Sequence, residues 1–346
     1  MSDLAELVRA AGTDLHQVGW TTADPFPEVR TEIERRKADG SSGRLGFTFS
    51  RPEISTDPTR SWPWARSIVV GLHPYLPEAG TPTGGGRVAR FAERDHYQPL
   101  RAGMEKICRA LEARGHRAEV VIDDSRLVDR AVGHRSGVGW WGKNTMLLTP
   151  GLGPWFLIGC VVTDAELEPG EPMRRDCGTC EACLPACPTG ALVAPGILDA
   201  RRCLAAILQA PGPIPVEFRS AVGDRLYGCD DCLEACPPGA RLLQAATDSR
   251  GTVDPIDVLT LGSTELRERF DRFYMPNGDP RYLRRNALVV LGNTGTTEHL
   301  GLLSGYLMHP DPMLVDHARW AIEKIGGPAA ELILELDQSE SAPIGR

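Results

Sequence analysis

The sequence has no long apolar run in its first 30 residues, so neither a secretion signal nor a membrane span is expected. It also has no excess of basic charge. Lys and Arg number 38 against 46 Asp and Glu, a formal net charge of −8. That argues against broad, sequence-independent binding to nucleic acid, while leaving room for a local basic patch. No G-x-G-x-x-G follows a strand-like stretch, so a Rossmann nucleotide site is not supported. Gly84-Gly85-Gly86 sits in a Pro/Thr loop with no helix start behind it. What remains is an ordinary soluble composition, 42% hydrophobic and 24% charged. At 346 residues the chain can hold two or three domains, each with its own core.

The cysteines are distributed far from evenly. Eight of the ten fall between Cys177 and Cys236. The first run is Cys177-Gly-Thr-Cys180-Glu-Ala-Cys183-Leu-Pro-Ala-Cys187-Pro188, the C-x2-C-x2-C-x3-C-P spacing of bacterial ferredoxins, whose fourth Cys ligates the other cluster. The second run, Cys229-Asp-Asp-Cys232-Leu-Glu-Ala-Cys236-Pro237, repeats the last three positions of that pattern. Its missing first ligand has a candidate 26 residues upstream, Cys203. Two [4Fe-4S] clusters are therefore expected, one on Cys177, Cys180, Cys183 and Cys236, the other on Cys187, Cys203, Cys229 and Cys232. Zinc is the rival, since paired C-x2-C knuckles bind it too, but zinc sites seldom need a Cys-Pro after a three-residue gap twice over. Disulfides fit poorly with a long chain lacking a secretion signal, and oxygen-sensitive thiolates suit the reducing cytoplasm. Cys108 and Cys160 read as small buried hydrophobes.

Along the chain, helix and strand signals are mixed as far as residue 165, so an α+β or α/β domain is expected there. An amphipathic helix covers 1–16, strands are expected at 18–20, 67–72 and 119–122, and a helix at 99–114. Residues 74–86 form a Pro/Gly-rich loop. Asp123-Asp124-Ser125 is placed to cap a helix over 127–135. Residues 146–148 and 155–162 read as the two strands of a β-hairpin. The domains expected are 1–165, a cluster domain at 166–250, and an all-helical tail at 251–346. Within that tail, "RRNALVVLGNTG" and "DHARWAIEKIGG" repeat a helix ending in Gly, either a short HEAT-like repeat or a plain helical bundle.

Several motifs in combination resemble epoxyqueuosine reductase. They are the first cysteine run followed by Pro188-Thr-Gly-Ala-Leu192, then Arg202-Cys203, then Gly223-Asp-Arg225-Leu-Tyr227-Gly-Cys229-Asp230. Upstream stand Asp123-x5-Asp129-Arg130-Ala131, Arg135-Ser-Gly-Val-Gly139 and Lys143-Asn144. The resemblance runs over nearly the whole chain. It implies an N-terminal domain holding cobalamin, related to reductive dehalogenases, then a two-cluster ferredoxin-like domain, then HEAT-like helices. The implied reaction reduces the epoxide of epoxyqueuosine, at the tRNA wobble position, to the alkene of queuosine. The implied partners are a tRNA anticodon loop and an external electron donor, for a monomer in the cytoplasm.

On that resemblance Asp123 matches the proton donor, and Asp124 is left as the helix cap. From residues alone, capping is the simpler role for both. Lys143 and Asn144 are implied at the cobalamin or substrate pocket, and Leu147, Ile158 and Val161 as backbone neighbours of the corrin. Trp140 and Trp141 either wall that pocket or pack the core. The sequence departs from the family pattern at Ser55, where an Arg is common, and at Ala205, where a Ser is common. Arg267, Arg269, Arg272, Arg281, Arg284 and Arg285 form a basic patch within 19 residues, with Arg281, Arg284 and Arg285 the expected RNA contacts. The alternative is a solvated helix face paired with Glu265, Glu268 and Asp271. Two other functions stay open: a cobalamin-dependent reductase of a small organic substrate, and an iron–sulfur electron carrier with no substrate of its own.

Overall fold

The computed structural model describes residues 3–75, 85–245 and 251–341. Most of the 74–86 loop, and the expected boundary near 250, lie outside them. The chain divides into two units, each drawn from three segments. The first comprises Met1–Glu78, Arg94–Cys203 and Asp231–Thr247; the second comprises Ala79–Glu93, Leu204–Asp230 and Asp248–Arg346. The cysteine-rich region is thus shared between them. No helix among the described residues is long and apolar enough to cross a membrane.

The first unit is built on a four-stranded sheet. Its strands are β1 (Gln17–Thr22), β2 (Ser67–Pro74), β3 (Ala118–Val121) and β6 (Phe156–Thr163), in the order β1-β2-β6-β3 with every neighbour antiparallel. β2 and β6 are apolar along their length because both faces are covered. Val69 and Val161 face a core made with helices α1 (Asp3–Ala11) and α3 (Tyr97–Glu112), through Val8, Leu100, Met104, Ile107 and Leu111. Ile68, Val70, Leu72, Cys160 and Val162 face the opposite core, with Ile33 of α2 (Pro27–Ala38) and Ala131 and Val132 of α4 (Asp129–Arg135). The apolar stripe of α3 lies directly on the sheet because Gly71 and Gly159 are cross-strand partners. A Cβ at Gly71 would stand 2.5 Å from Met104 Sδ, and one at Gly159 2.7 Å from Met104 Cγ.

The expected hairpin of 146–148 with 155–162 does not form. β5 (Leu147–Leu148) pairs with β4 (Trp140–Trp141), while β6 joins the main sheet between β2 and β3. Short apolar runs do not encode their partners, and β6 buries both its faces only by entering the sheet.

The second unit holds a three-stranded sheet, residues 225–227, 86–88 and 252–253, against a helical array. The main helices are α6 (Arg281–Thr294), α7 (Pro312–Ile325) and α8 (Pro328–Ser341), within the stretch expected to be helical. Their core includes Leu288, Val289, Leu314, Ala318 and Ile322. Helix α5 (Leu204–Gln209) belongs to the same unit.

Candidate active site and cluster ligands

Four of the eight ligand candidates come together in the first unit. Cys177, Cys180, Cys183 and Cys236 line one cavity of about 130 Å³, with Trp140, Lys143, Asn144, Leu148, Arg175 and Pro237 completing much of the wall. Cys183 and Cys236 are buried and Cys180 is exposed. Burial, and then the neighbouring Cys177, Cys183 and Cys180, push the Cys236 thiol up to about 12. Four sulfurs gathered so closely that their thiolate forms would repel one another are a donor set that a cationic iron core would neutralise. The Trp140 indole N–H has no acceptor among the described residues. Soft donors and an orphaned N–H on one cavity fit an iron–sulfur cluster.

The second expected set is arranged differently. Burial works to raise the Cys187 thiol, but backbone N–H groups of Thr189, Leu192 and Ala191, with the Thr189 hydroxyl, outweigh it and hold the thiol below its ordinary value. The Ala191 N–H reaches Cys187 Sγ at 3.1 Å. Thr189 Oγ1 also donates to the Arg202 carbonyl at 2.5 Å, which ties the Cys187 turn to the segment before Cys203. Asn144 Nδ2 donates to the Cys232 carbonyl at 3.5 Å. Cys229 belongs to the second unit, packed against its core. The sequence reading missed Thr189 and Arg175. Thr189 directly follows Cys-Pro and was findable as a local donor, whereas nothing local marks Arg175.

Asp123 lies where β3 leaves the sheet. Val121 pairs with Cys160, and continuing that register would set Asp123 level with Ile158. The chain turns away instead, with Asp123 at φ 49°, a left-handed conformation uncommon outside Gly, Asn and Asp. β3 flanks β6 only over Cys160–Thr163, so it leaves Phe156–Gly159 without a strand on that side. Asp123 is an exposed residue. Partial desolvation of its carboxyl, followed by the charges of Asp129 and Asp124, raises its pKa. Asp124 moves the other way, lowered chiefly by its hydrogen bonds from the Arg126 side chain.

Other expected positions need correction. Asp124 is not a helix cap: α4 begins at Asp129 after Val128, with no side-chain cap. Its Oδ1 instead accepts the Arg126 backbone N–H at 2.8 Å, closing a local turn. Val161 is wholly buried, and its strand is flanked on both sides there, by Val69 and Val120. Leu147 is buried against α4 and pairs with Trp141. Lys143 and Asn144 are on the thiol-cavity wall, Lys143 Nζ 3.4 Å from Glu181 Oε1 and Asn144 Oδ1 accepting the Met146 N–H at 3.1 Å. The aromatic pair splits: Trp140 faces in and Trp141 is exposed beside the His134 ring. Ser55 is fully buried, donating to the Thr48 carbonyl at 2.8 Å.

The arginine patch is only partly exposed: Arg267, Arg269 and Arg281 face solvent, Arg272 and Arg284 are half-buried and Arg285 is buried. Arg285 is 1% exposed, and its guanidinium donates to the carbonyls of Ile207, Leu208, Ala210 and Gly212 at the end of α5. That is a cation satisfying a helix C-terminus, out of reach of a phosphate. Arg284 bonds the Leu261 carbonyl at 2.8 Å and Ser263 Oγ at 3.1 Å. Arg272 Nε donates to the Ala92 carbonyl, and Arg269 pairs with Asp257. Arg281 stays exposed, paired with Asp279 and Asp311.

Comparison with known proteins accounts for this arrangement. The family model described as a 4Fe-4S double cluster binding domain matches residues 176–239. The epoxyqueuosine reductase of Bacillus subtilis (strain 168) is 32% identical, over 99% of this chain and 93% of its own length. The chain belongs to the epoxyqueuosine reductase family. The relative from Bacillus cereus is 30% identical over 98% of this chain and 93% of its own. Among solved structures, an epoxyqueuosine reductase bound to an epoxyqueuosine-modified tRNA-Tyr stem loop superposes with a TM-score of 0.87, at 30% identity, covering 98% of this chain and 94% of that one. A Bacillus subtilis epoxyqueuosine reductase with its catalytic aspartate loop swung out of the active site gives 0.85 at 30% identity, covering 98% and 95%.

Proposed function

We propose that this protein reduces the epoxide of epoxyqueuosine, at the wobble position of a tRNA, to the alkene of queuosine. Membership of the family supports the reaction, and the opposed shifts of Asp123 and Asp124 carry the assignment of its acid. Adjacent carboxyls pushed apart by their surroundings mark the one kept as a proton donor. Removing the epoxide oxygen as water takes two electrons and two protons. The electrons come singly, through two [4Fe-4S] clusters, from an external donor. Cobalamin, when bound, supplies a two-electron relay suited to that supply. Cobalamin would lie against the Phe156–Gly159 stretch that β3 leaves without a strand, where Ile158 is half-buried, with Asp123 following the end of β3. Asp123 holds a proton on its carboxyl oxygen and transfers it to the epoxide oxygen as the C–O bond breaks. Arg126 keeps Asp124 ionised and the turn in place. The repeated helix-to-Gly pattern of α6 and α7 supports reading the tail as HEAT-like. Of the three arginines expected at RNA, only Arg281 keeps an exposure that suits phosphate.

The test is anaerobic purification with iron and corrin analysis, then turnover on tRNA carrying epoxyqueuosine, read by nucleoside mass spectrometry. Queuosine formation with about eight irons and bound corrin is expected. Bound corrin without turnover on tRNA would leave a small-substrate reductase, and iron without corrin an electron carrier.

A further inference from the structure

We propose that Trp140 sets the reduction potential of the cluster held by Cys177, Cys180, Cys183 and Cys236, by donating its indole N–H to a sulfur of that cluster. This rests on the reading that those four thiols hold a [4Fe-4S] cluster.

Two independent observations meet at this residue. Trp140 is 1% exposed, and its Nε1 has no acceptor among the described residues. A buried N–H left unpaired is costly, so such groups nearly always have a partner. Trp140 also lines the thiol cavity and packs with Cys177 and Cys236. Trp62 is likewise a buried indole without an acceptor. What singles out Trp140 is that the space beside it is walled by sulfur ligands. The ring is held in place. β4 pairs Trp140 with Leu148, and the Arg175 guanidinium lies 4.6 Å from the ring centroid. A Cβ at Gly139 would stand 2.4 Å from the Leu148 carbonyl oxygen, so this strand pairing is close and specific to glycine.

The electrostatic consequence has a definite sign. One electron from the external donor takes an oxidised [4Fe-4S] core to its reduced form and adds one negative charge. No covalent bond forms or breaks, and the indole keeps its proton. An N–H dipole aimed at sulfur is stabilised more by the reduced core than by the oxidised one. Hydrogen bonds to cluster sulfurs are among the factors that set these potentials. Trp140 therefore makes this cluster easier to reduce.

The experiment is an anaerobic potentiometric titration of the holoprotein followed by EPR, comparing the unaltered protein with Trp140→Phe. With iron content retained, one cluster's reduction equilibrium constant is expected to fall roughly tenfold, about 59 mV for a one-electron couple. The other cluster should stay where it was. Two unchanged potentials, or two equal shifts, overturn the proposal. Should Trp140→Phe lose iron, the unaltered protein labelled with 15N-indole tryptophan decides by pulsed EPR of the reduced cluster. A nitrogen coupling at hydrogen-bond range supports the donor role, and its absence overturns it. Unaltered protein without iron would instead sink the cluster reading itself.

Discussion

Arg126 holds the Asp124 carboxylate with its whole fork, Nη2 to Oδ2 at 2.7 Å and Nε to the two oxygens at 3.0 and 3.1 Å. The same guanidinium lies 4.4 Å from the Trp62 ring centroid and 3.3 Å from Glu119 Oε1. Ser55 supports the far end of the loop, its carbonyl accepting the Val128 N–H at 3.1 Å. The turn is thus anchored beside Asp123 rather than through it, which leaves that carboxyl for chemistry.

Replacing Asp123 should separate activity from stability. Asp123→Asn is expected to keep its iron and lose turnover by about 100- to 10,000-fold, measured as queuosine formed per enzyme. Asp123→Gly should lose turnover too, yet be about 1 kcal/mol more stable, because glycine accepts a positive φ without strain. Urea unfolding of the two proteins checks this. The raised pKa of Asp123 also gives a direction. A donor must be protonated, so the rate should decline as pH rises through that pKa, and the decline should vanish in Asp123→Asn. Retained turnover in Asp123→Asn would remove it from the acid role.

Cys203 stands outside both cysteine runs, so its assignment can be tested alone. Cys203→Ala should lose one cluster and keep the other, with iron falling from about eight to about four per chain. Iron analysis and EPR spin counting read this directly. Full iron content would exclude Cys203 as a ligand.

His317 in α7 predicts a pH dependence of stability. It is fully buried; its Nε2 accepts the Ile214 N–H at 3.1 Å and its Nδ1 bonds the Met313 carbonyl at 2.7 Å. Burial first, then Arg219 and Arg285, lower its pKa to about 4, against the opposing effects of the Met313 bond and Asp316. The folded state holds the neutral ring while the unfolded state takes up a proton near 6.5. This stabilisation is therefore complete above pH 6.5 and is lost as pH falls toward 4, by on the order of 3 kcal/mol at the lower end. Unfolding of the second unit, followed by denaturant between pH 7 and 5, should show the slope, and His317→Gln should flatten it.

Arg285 and Arg281 should differ sharply despite their proximity in sequence. Arg285→Leu leaves several buried carbonyls at the end of α5 without a donor, and should cost about 3 kcal/mol. Arg281→Ala removes only exposed ion pairs and should stay within about 0.5 kcal/mol. Chemical denaturation distinguishes them. Equal losses would contradict the burial of Arg285.

Cysteine spacing, helical periodicity and short apolar runs are properties of neighbouring residues. They were enough to indicate the four thiols that share one cavity, the tail helices and most strands of the first unit. Cys203 enters as a candidate in the same way, because a ferredoxin pattern lacking one ligand demands another. The pairing of β6 was not reachable, since Phe156–Thr163 takes its partners from Ser67–Pro74 and Ala118–Val121, far away in the chain. Nor was the fate of Arg285, because an arginine reads alike whether it meets water or satisfies a helix end. Asp123 and Asp124 are identical in the sequence and adjacent. Only folding, by giving Arg126 to Asp124 and a left-handed turn to Asp123, shifts the two carboxyls in opposite directions. The sequence alone thus determined which residues could ligate iron, because ligand spacing is local. The tertiary structure decided which carboxyl, which arginine and which indole are free to act, because desolvation and hydrogen-bond partners come from distant parts of the chain.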